Sequence, residues 1–128
     1  VNAAAYTAVD LAEKEKKLAK SINATAVDVL ARETKRLGSL LVHYSTDYVF
    51  DGKNSLPYTE DDQTNPINFY GQTKLQGEEY IRESGCAHLI FRTSWVHSPY
   101  RSNFIKTMLR LANNQQPLRL IKNQREVC

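Results

Sequence analysis

Tyr70 and Lys74, four residues apart in the stretch Asn68-Phe69-Tyr70-Gly71-Gln72-Thr73-Lys74, are where side-chain types and spacing first suggest chemistry. On a helix, positions i and i+4 share a face, with β-carbons about 5–6 Å apart. A free phenol titrates at about 10 and exchanges protons poorly at neutral pH. An ammonium beside it favours the phenolate and lowers that value. A tyrosine tuned toward neutrality can then serve as general acid or base. The lysine also has three donors that could hold sugar hydroxyls. By itself the pair is common on solvated helix faces, so its meaning depends on the elements around it.

Those elements follow from the hydrophobic pattern. The run Leu40-Leu41-Val42-His43-Tyr44-Ser45-Thr46 is apolar, bounded by Gly38 and a polar loop, and reads as a buried strand. It ends in the hydroxyls of Ser45 and Thr46, followed by Asp47. A hydroxyl there could bond a substrate oxygen and adjust the proton affinity of Tyr70; the competing use is turn capping. Residues 88–94 read as a second strand ending in Thr93 and Ser94, with Trp95 next. The spacing predicts a helix over 9–37, with Ile22, Ala26, Val29, Leu30 and Leu37 on its buried face and Gly38 at its end. Further helices are predicted over 68–83, stopped by Gly85, and over 103–112, with a last strand over 117–123. Val1-Asn2 reads as a strand end, and the small residues Ala3, Ala4 and Ala5 would let a ligand approach the backbone.

Strands alternating with helices imply an α/β fold with a doubly wound parallel sheet. Such sheets bind ligands at the carboxyl ends of their strands, where these polar residues collect. The turn-rich segment 51–66, with Asp-Gly and two prolines, is long enough to be functional. Its Asp61-Asp62 pair reads as solvated. Arg92 reads as a structural partner, and His43 and His97 show no partner pattern and are given no role.

The 128 residues amount to about one domain. The net charge of +3 comes from basic residues mixed with acids, as in Glu13-Lys14-Glu15-Lys16-Lys17, which argues against nucleic-acid binding. Cys86 and Cys128 lack metal-ligand spacing, and a reducing cytoplasm suits them better than a disulfide framework. The sequon Asn23-Ala24-Thr25 falls in a helical pattern and reads as chance. No apolar run is long enough for a membrane helix, and no signal peptide opens the chain. Because the chain starts at Val1, within a motif, it reads as an excerpt of something longer.

Together, VNAAAYTAVD, HYSTDYVFDG, PYTEDD, NPINFYGQTKLQGE, LIFRTSWV and NFIKTMLRLA resemble the extended short-chain dehydrogenase/reductases, from Val1 to about Gln124. The resemblance implies a Rossmann-like, NAD(P)-binding domain over residues 1–128. That domain would be incomplete, lacking the N-terminal cofactor half and the C-terminal substrate region. It implies NADPH, or NADH, as cofactor and reduction of the C4 keto group of dTDP-4-dehydro-L-rhamnose to dTDP-L-rhamnose. Tyr70 would be the proton donor, Lys74 would lower the tyrosine's pKa and hold the nicotinamide ribose, and Thr46 would match the tyrosine's proton affinity. Ala5, Tyr6, Thr7 and Tyr44 would line the cofactor. Asp47 and Trp95 would contact the dTDP-sugar together with Thr46 and Tyr70, with Tyr48 a weaker candidate. A homodimer is left open, no metal, nucleic acid or membrane is called for, and the setting is cytoplasmic. The family's glycine-rich turn would lie before Val1, so residues 1–128 alone are expected to reduce the sugar weakly or not at all. Two other readings share parts of the pattern: a non-catalytic dinucleotide-binding regulatory subunit of methionine adenosyltransferase, and another nucleotide-sugar reductase or epimerase. Arg92-Thr93-Ser94-Trp95-Val96 favours the reductase over the regulatory subunit.

Overall fold

The computed structural model describes residues 1–100 and 103–114. The predicted strand over 117–123 and the Arg125–Cys128 ending lie outside them. In chain order the elements are α1 (Val9–Ala12), α2 (Lys16–Lys20), a π-helical turn (Ser21–Thr25), α3 (Ala26–Arg36), β1 (Leu40–Thr46), a 3-10 turn (Asp47–Val49), α4 (Phe69–Ser84), β2 (Ala87–Thr93) and α5 (Phe104–Asn113). β1 and β2 pair in parallel, Leu40 opposite Ala87 through Thr46 opposite Thr93. On the other edge of β1, Asn2 makes an isolated parallel bridge to His43, so the expected strand end is present as a single pairing. Consecutive parallel strands joined by a helix make this an α/β unit.

The predicted ends of α4 hold. Asn68 caps it, its side-chain oxygen accepting from Gly71 N–H at 2.7 Å, and Gly85 closes it in the left-handed region at φ 65°. α5 starts under the Asn103 side chain in the same way.

The helix expected over 9–37 is corrected in two respects. It is interrupted after α1, where Glu13 and Glu15 are drawn to distant partners: Glu13 accepts from Phe69 N–H at 2.7 Å, and Glu15 from the Tyr6 hydroxyl at 2.7 Å. It also widens into the π turn, which carries Asn23 fully inside. The buried face is therefore Asn23, Val27 and Ala31, not the expected stripe; Val29, Leu30 and Leu37 are exposed and Ile22 is half-buried. Burial of Asn23 also removes the sequon from solvent. Its amide accepts from Tyr6 N–H at 2.8 Å and donates to the Tyr6 carbonyl and the Thr73 hydroxyl, each at 3.1 Å. A helix face that presents an amide and two small side chains cannot be recognised by hydrophobic periodicity.

Two small cores result. Val27, Ala31, Leu41, Ile81 and Cys86 pack with Ile90 between α3, α4 and the sheet. Ala12, Ala19 and Tyr70 pack with Tyr6, Val9 and Phe69 at the other end of α4. The helices approach closely because Gly77 lies on the Asn23 carbonyl, where a β-carbon would collide with backbone. Gly77→Ala should lower the unfolding free energy by about 1–3 kcal/mol despite alanine's better helix propensity, as overpacking does; denaturant unfolding of the full-length protein reads this directly.

Candidate active site

α4 and the carboxyl end of β1 bring the polar groups together. Tyr70, Lys74 and Glu78 lie along one helix face at successive turns, all buried. The Thr46 hydroxyl donates to Asp47 Oδ1 at 3.0 Å and accepts from Tyr48 N–H at 3.2 Å, which caps the 3-10 turn. The same side chain lies beside the Tyr70 phenol and draws its pKa down. The Tyr48 ring stands edge-on to that of Tyr70, with centroids 5.7 Å apart. Tyr48 can come this close because Gly71 leaves room for its carbonyl.

The electrostatics differ from the expected tyrosine–lysine couple. Burial holds Tyr70 above the ordinary tyrosine value, with Asp47 and Tyr48 adding to this and Thr46 opposing it. The Lys74 amine turns to β1 instead, donating to the Tyr44 carbonyl at 2.6 Å and lying 3.4 Å from His43 Nε2. Burial lowers Lys74 to about 8, against the pull of Glu78. His43, given no role from sequence, is fully buried between Asn2 and Lys74.

Glu78 was also missed. It accepts from the Ser45 hydroxyl at 2.5 Å, from Arg92 through two nitrogens at 3.1 and 2.8 Å, and from Arg82 at 2.8 Å. Ser45 is thereby committed to structure, leaving Thr46 as the hydroxyl beside Tyr70. Arg92 is the structural partner expected, and it also covers the Phe50 ring at 4.9 Å. The available signal was helical spacing: Glu78 continues the Tyr70–Lys74 series by one more i+4 step.

At the carboxyl ends of both strands opens a cavity of about 410 Å³, lined by Asp47, Phe50, Tyr58, Arg92, Thr93 and Ser94 among others. The 51–66 loop forms one wall. Asp51 organises it, accepting from Lys53 N–H, the Tyr58 hydroxyl and the Asn65 amide, while Phe50 stacks on Tyr58 at 4.2 Å. Asp62 caps Thr59 within the loop, and Asp61 is exposed, so the pair forms no joint carboxylate site.

The remaining residues singled out from sequence are dispersed. Ala5 and Tyr6 are half-buried and Thr7 is exposed on the segment that follows the Asn2 bridge, with Tyr6 packed against the Tyr70 cluster. Strand alternation places the Tyr44 ring on the sheet face opposite Lys74, against Phe91 at 5.9 Å. Its carbonyl, not its ring, meets the lysine. Trp95 is 40% exposed, edge-on to Phe104 at 4.6 Å, and outside the cavity lining. Its φ of 47° lies in the left-handed region, which is strained for a bulky side chain. Among the described residues no cluster of metal-ligating side chains occurs, and no helix is long and apolar enough to cross a membrane.

A parallel α/β unit with its polar site at the strand ends defines a Rossmann-like protein. More narrowly, residues 1–127 match the RmlD substrate binding domain, and the chain belongs to that family. It is 52% identical over 124 residues to dTDP-4-dehydrorhamnose reductase of Salmonella typhimurium, covering 97% of this chain and 42% of that protein. It is 54% identical over 124 residues to the reductase of the same name from Burkholderia thailandensis, with the same coverage of each chain. The crystal structure of dTDP-4-dehydrorhamnose reductase from Bacillus anthracis in complex with NADP superposes with a TM-score of 0.84 at 45% identity, covering 88% of this chain and 40% of that one. The chain thus spans about two fifths of the length of the relatives it matches.

Proposed function

We propose that the protein carrying this chain reduces the C4 keto group of dTDP-4-dehydro-L-rhamnose to dTDP-L-rhamnose with NADPH, or NADH, as reductant. One observation carries the reading: a buried phenol beside a buried threonine hydroxyl sits one helical turn from a buried lysine, at the carboxyl end of a parallel strand. The chain around it is half identical to proteins named for this reaction. Residues 1–128 form the part of a Rossmann-like, NAD(P)-binding domain that holds this set. The alternative of a regulatory subunit of methionine adenosyltransferase is not favoured, since the relatives named above are reductases.

The donor set fits a nicotinamide dinucleotide. The Lys74 amine has donor capacity beyond the bond it makes to Tyr44, suited to ribose hydroxyls. Ala3, Ala4 and Ala5 keep the segment after Asn2 free of bulk. When bound, the cofactor supplies a hydride to the carbonyl carbon. Tyr70 gives its proton to the oxygen that becomes the C4 hydroxyl. Burial keeps the phenol protonated at neutral pH, as a donor must be. Thr46 donates or accepts beside that oxygen and holds the phenol in place. Asp47 and Trp95 are assigned to the sugar nucleotide; Asp47 lines the cavity at the strand ends, whereas Trp95, Tyr70 and Thr46 lie outside its lining. Ala5, Tyr6, Thr7 and Tyr44 are assigned to the cofactor side. We place the reaction in the cytoplasm, which the buried free thiol of Cys86 suits.

Consumption of NADPH on addition of dTDP-4-dehydro-L-rhamnose to the full-length protein, with dTDP-L-rhamnose as product, is the expected result. Absence of turnover with either reduced dinucleotide would refute the assignment.

A further inference from the structure

A buried polar chain leads from Asn2 through His43 to Lys74. The three residues are 8%, 0% and 1% exposed. Asn2 Oδ1 accepts from Ala4 N–H at 3.1 Å, which turns the amide nitrogen of Asn2 toward His43 Nδ1 at 3.0 Å. An amide nitrogen only donates, so Nδ1 must accept. The single hydrogen of a neutral imidazole then resides on Nε2, 3.4 Å from the Lys74 amine. An N–H pointed at an ammonium repels it, whereas the same N–H pointed at a neutral amine donates into its lone pair. Lys74 keeps one hydrogen on the Tyr44 carbonyl in either state.

The surroundings do not compensate. Glu78, one turn along α4, favours the ammonium, but its carboxylate is already engaged by Ser45, Arg82 and Arg92. Tyr70, one turn back, is an uncharged phenol, and Asp47 and Tyr48 of the 3-10 turn act on that phenol. From the π turn only neutral Asn23 approaches α4, through Thr73. The carboxylates of Glu13 and Glu15 are spent on Phe69 and Tyr6.

We propose that His43, its tautomer fixed by Asn2, is a positioning residue that holds Lys74 on the Tyr44 carbonyl and biases it toward the neutral amine. The consequence for ketone reduction rests on the functional reading above; the tautomer and its effect on Lys74 do not. Burial and the neighbouring lysine push His43 down to about 4, so the ring is neutral at pH 7; burial lowers Lys74 to about 8, and the His43 contact acts in the same direction.

Nitrogen-15 NMR of the full-length protein, labelled at histidine and lysine, tests this without any turnover. The expected result is a protonated Nε2 and bare Nδ1 at His43, with Lys74 titrating well below an ordinary lysine. Asn2→Asp offers Nδ1 an acceptor. It should move the hydrogen to Nδ1, present a lone pair to Lys74 and raise the lysine titration by about one unit or more. If the reductase reading also holds, the limb of the pH–rate profile that follows Lys74 moves upward with it, which a purely structural role for His43 would not produce. A wild-type ring protonated at Nδ1, or a Lys74 titration unmoved when the tautomer flips, overturns the proposal. The wild-type spectrum decides even if the variant does not fold. The NMR pattern without ketone reduction would support the proposal for Lys74 and defeat only the reductase reading.

Discussion

Tyr70→Phe in the full-length protein should cut kcat for reduction of the 4-keto sugar by about a hundred- to ten-thousandfold, the range for loss of a positioned general acid. Substrate and dinucleotide affinity should change little, because the ring stays in place. Tyr70 belongs to the core cluster with Ala12 and Ala19, and its edge contact to Tyr48 does not need the hydroxyl. The hydroxyl lies beside Thr46, and its loss should cost no more than about 1 kcal/mol of stability, the scale of a typical hydrogen bond. The variant should therefore fold, bind and fail to turn over. Steady-state kinetics paired with dinucleotide titration separates these outcomes. Turnover within a few-fold of wild type would remove Tyr70 as proton donor. The direction of its pKa adds a second check: held above the ordinary tyrosine value, the phenol should keep its proton through neutral pH, so reduction should not decline on the acid side through Tyr70.

The second large effect is on stability. Glu78→Ala should cost about 3–5 kcal/mol, the penalty for removing one partner of a buried ion pair. Glu78 is fully buried, and Arg92, the less exposed of its two charged partners, is 17% exposed in its side chain, so the guanidinium would be left poorly solvated. Arg82 is 46% exposed and contributes far less. Ser45 would lose its acceptor, loosening the end of β1 one residue before Thr46. The pH dependence has a definite sign. Burial pushes Glu78 up, but hydrogen bonds from Arg92, Ser45 and Arg82 and the Arg92 charge hold it net below the ordinary carboxylate value. A group with a depressed folded-state pKa stabilises fully above its unfolded value, about 4.3 for glutamate, and that contribution is lost as pH falls through the folded value. Wild type should lose this stability on acidification below about pH 4, and Glu78→Ala should show a flatter acid limb in denaturant unfolding. Equal acid slopes for the two proteins would count against the ion pair.

Local pattern was enough for much of the outcome. The apolar run ending in Ser45-Thr46, the helix between Asn68 and Gly85, and the strand before Thr93 are set by short-range signals: a cap, a left-handed glycine, a hydrophobic stretch between turns. Parallel pairing followed from their alternation, and the i+4 spacing put Tyr70 and Lys74 on one face. Tertiary structure decided what those residues touch. Phe69, remote in sequence, and Tyr6, on the segment before α1, draw off Glu13 and Glu15 where the first helix breaks, and the π turn rotates Asn23 inward so that exposed Val29 and Leu30 look away from the core. Pairing of β1 with Asn2 buries His43, and the facing strand supplies the carbonyl that takes Lys74 away from Tyr70. Glu78 acquires its meaning only when Ser45 and Arg92 arrive from two adjacent strands. Residue type and spacing dictate which face a side chain occupies. Its protonation and partners depend on groups tens of residues away, which only the packed chain brings within hydrogen-bond distance.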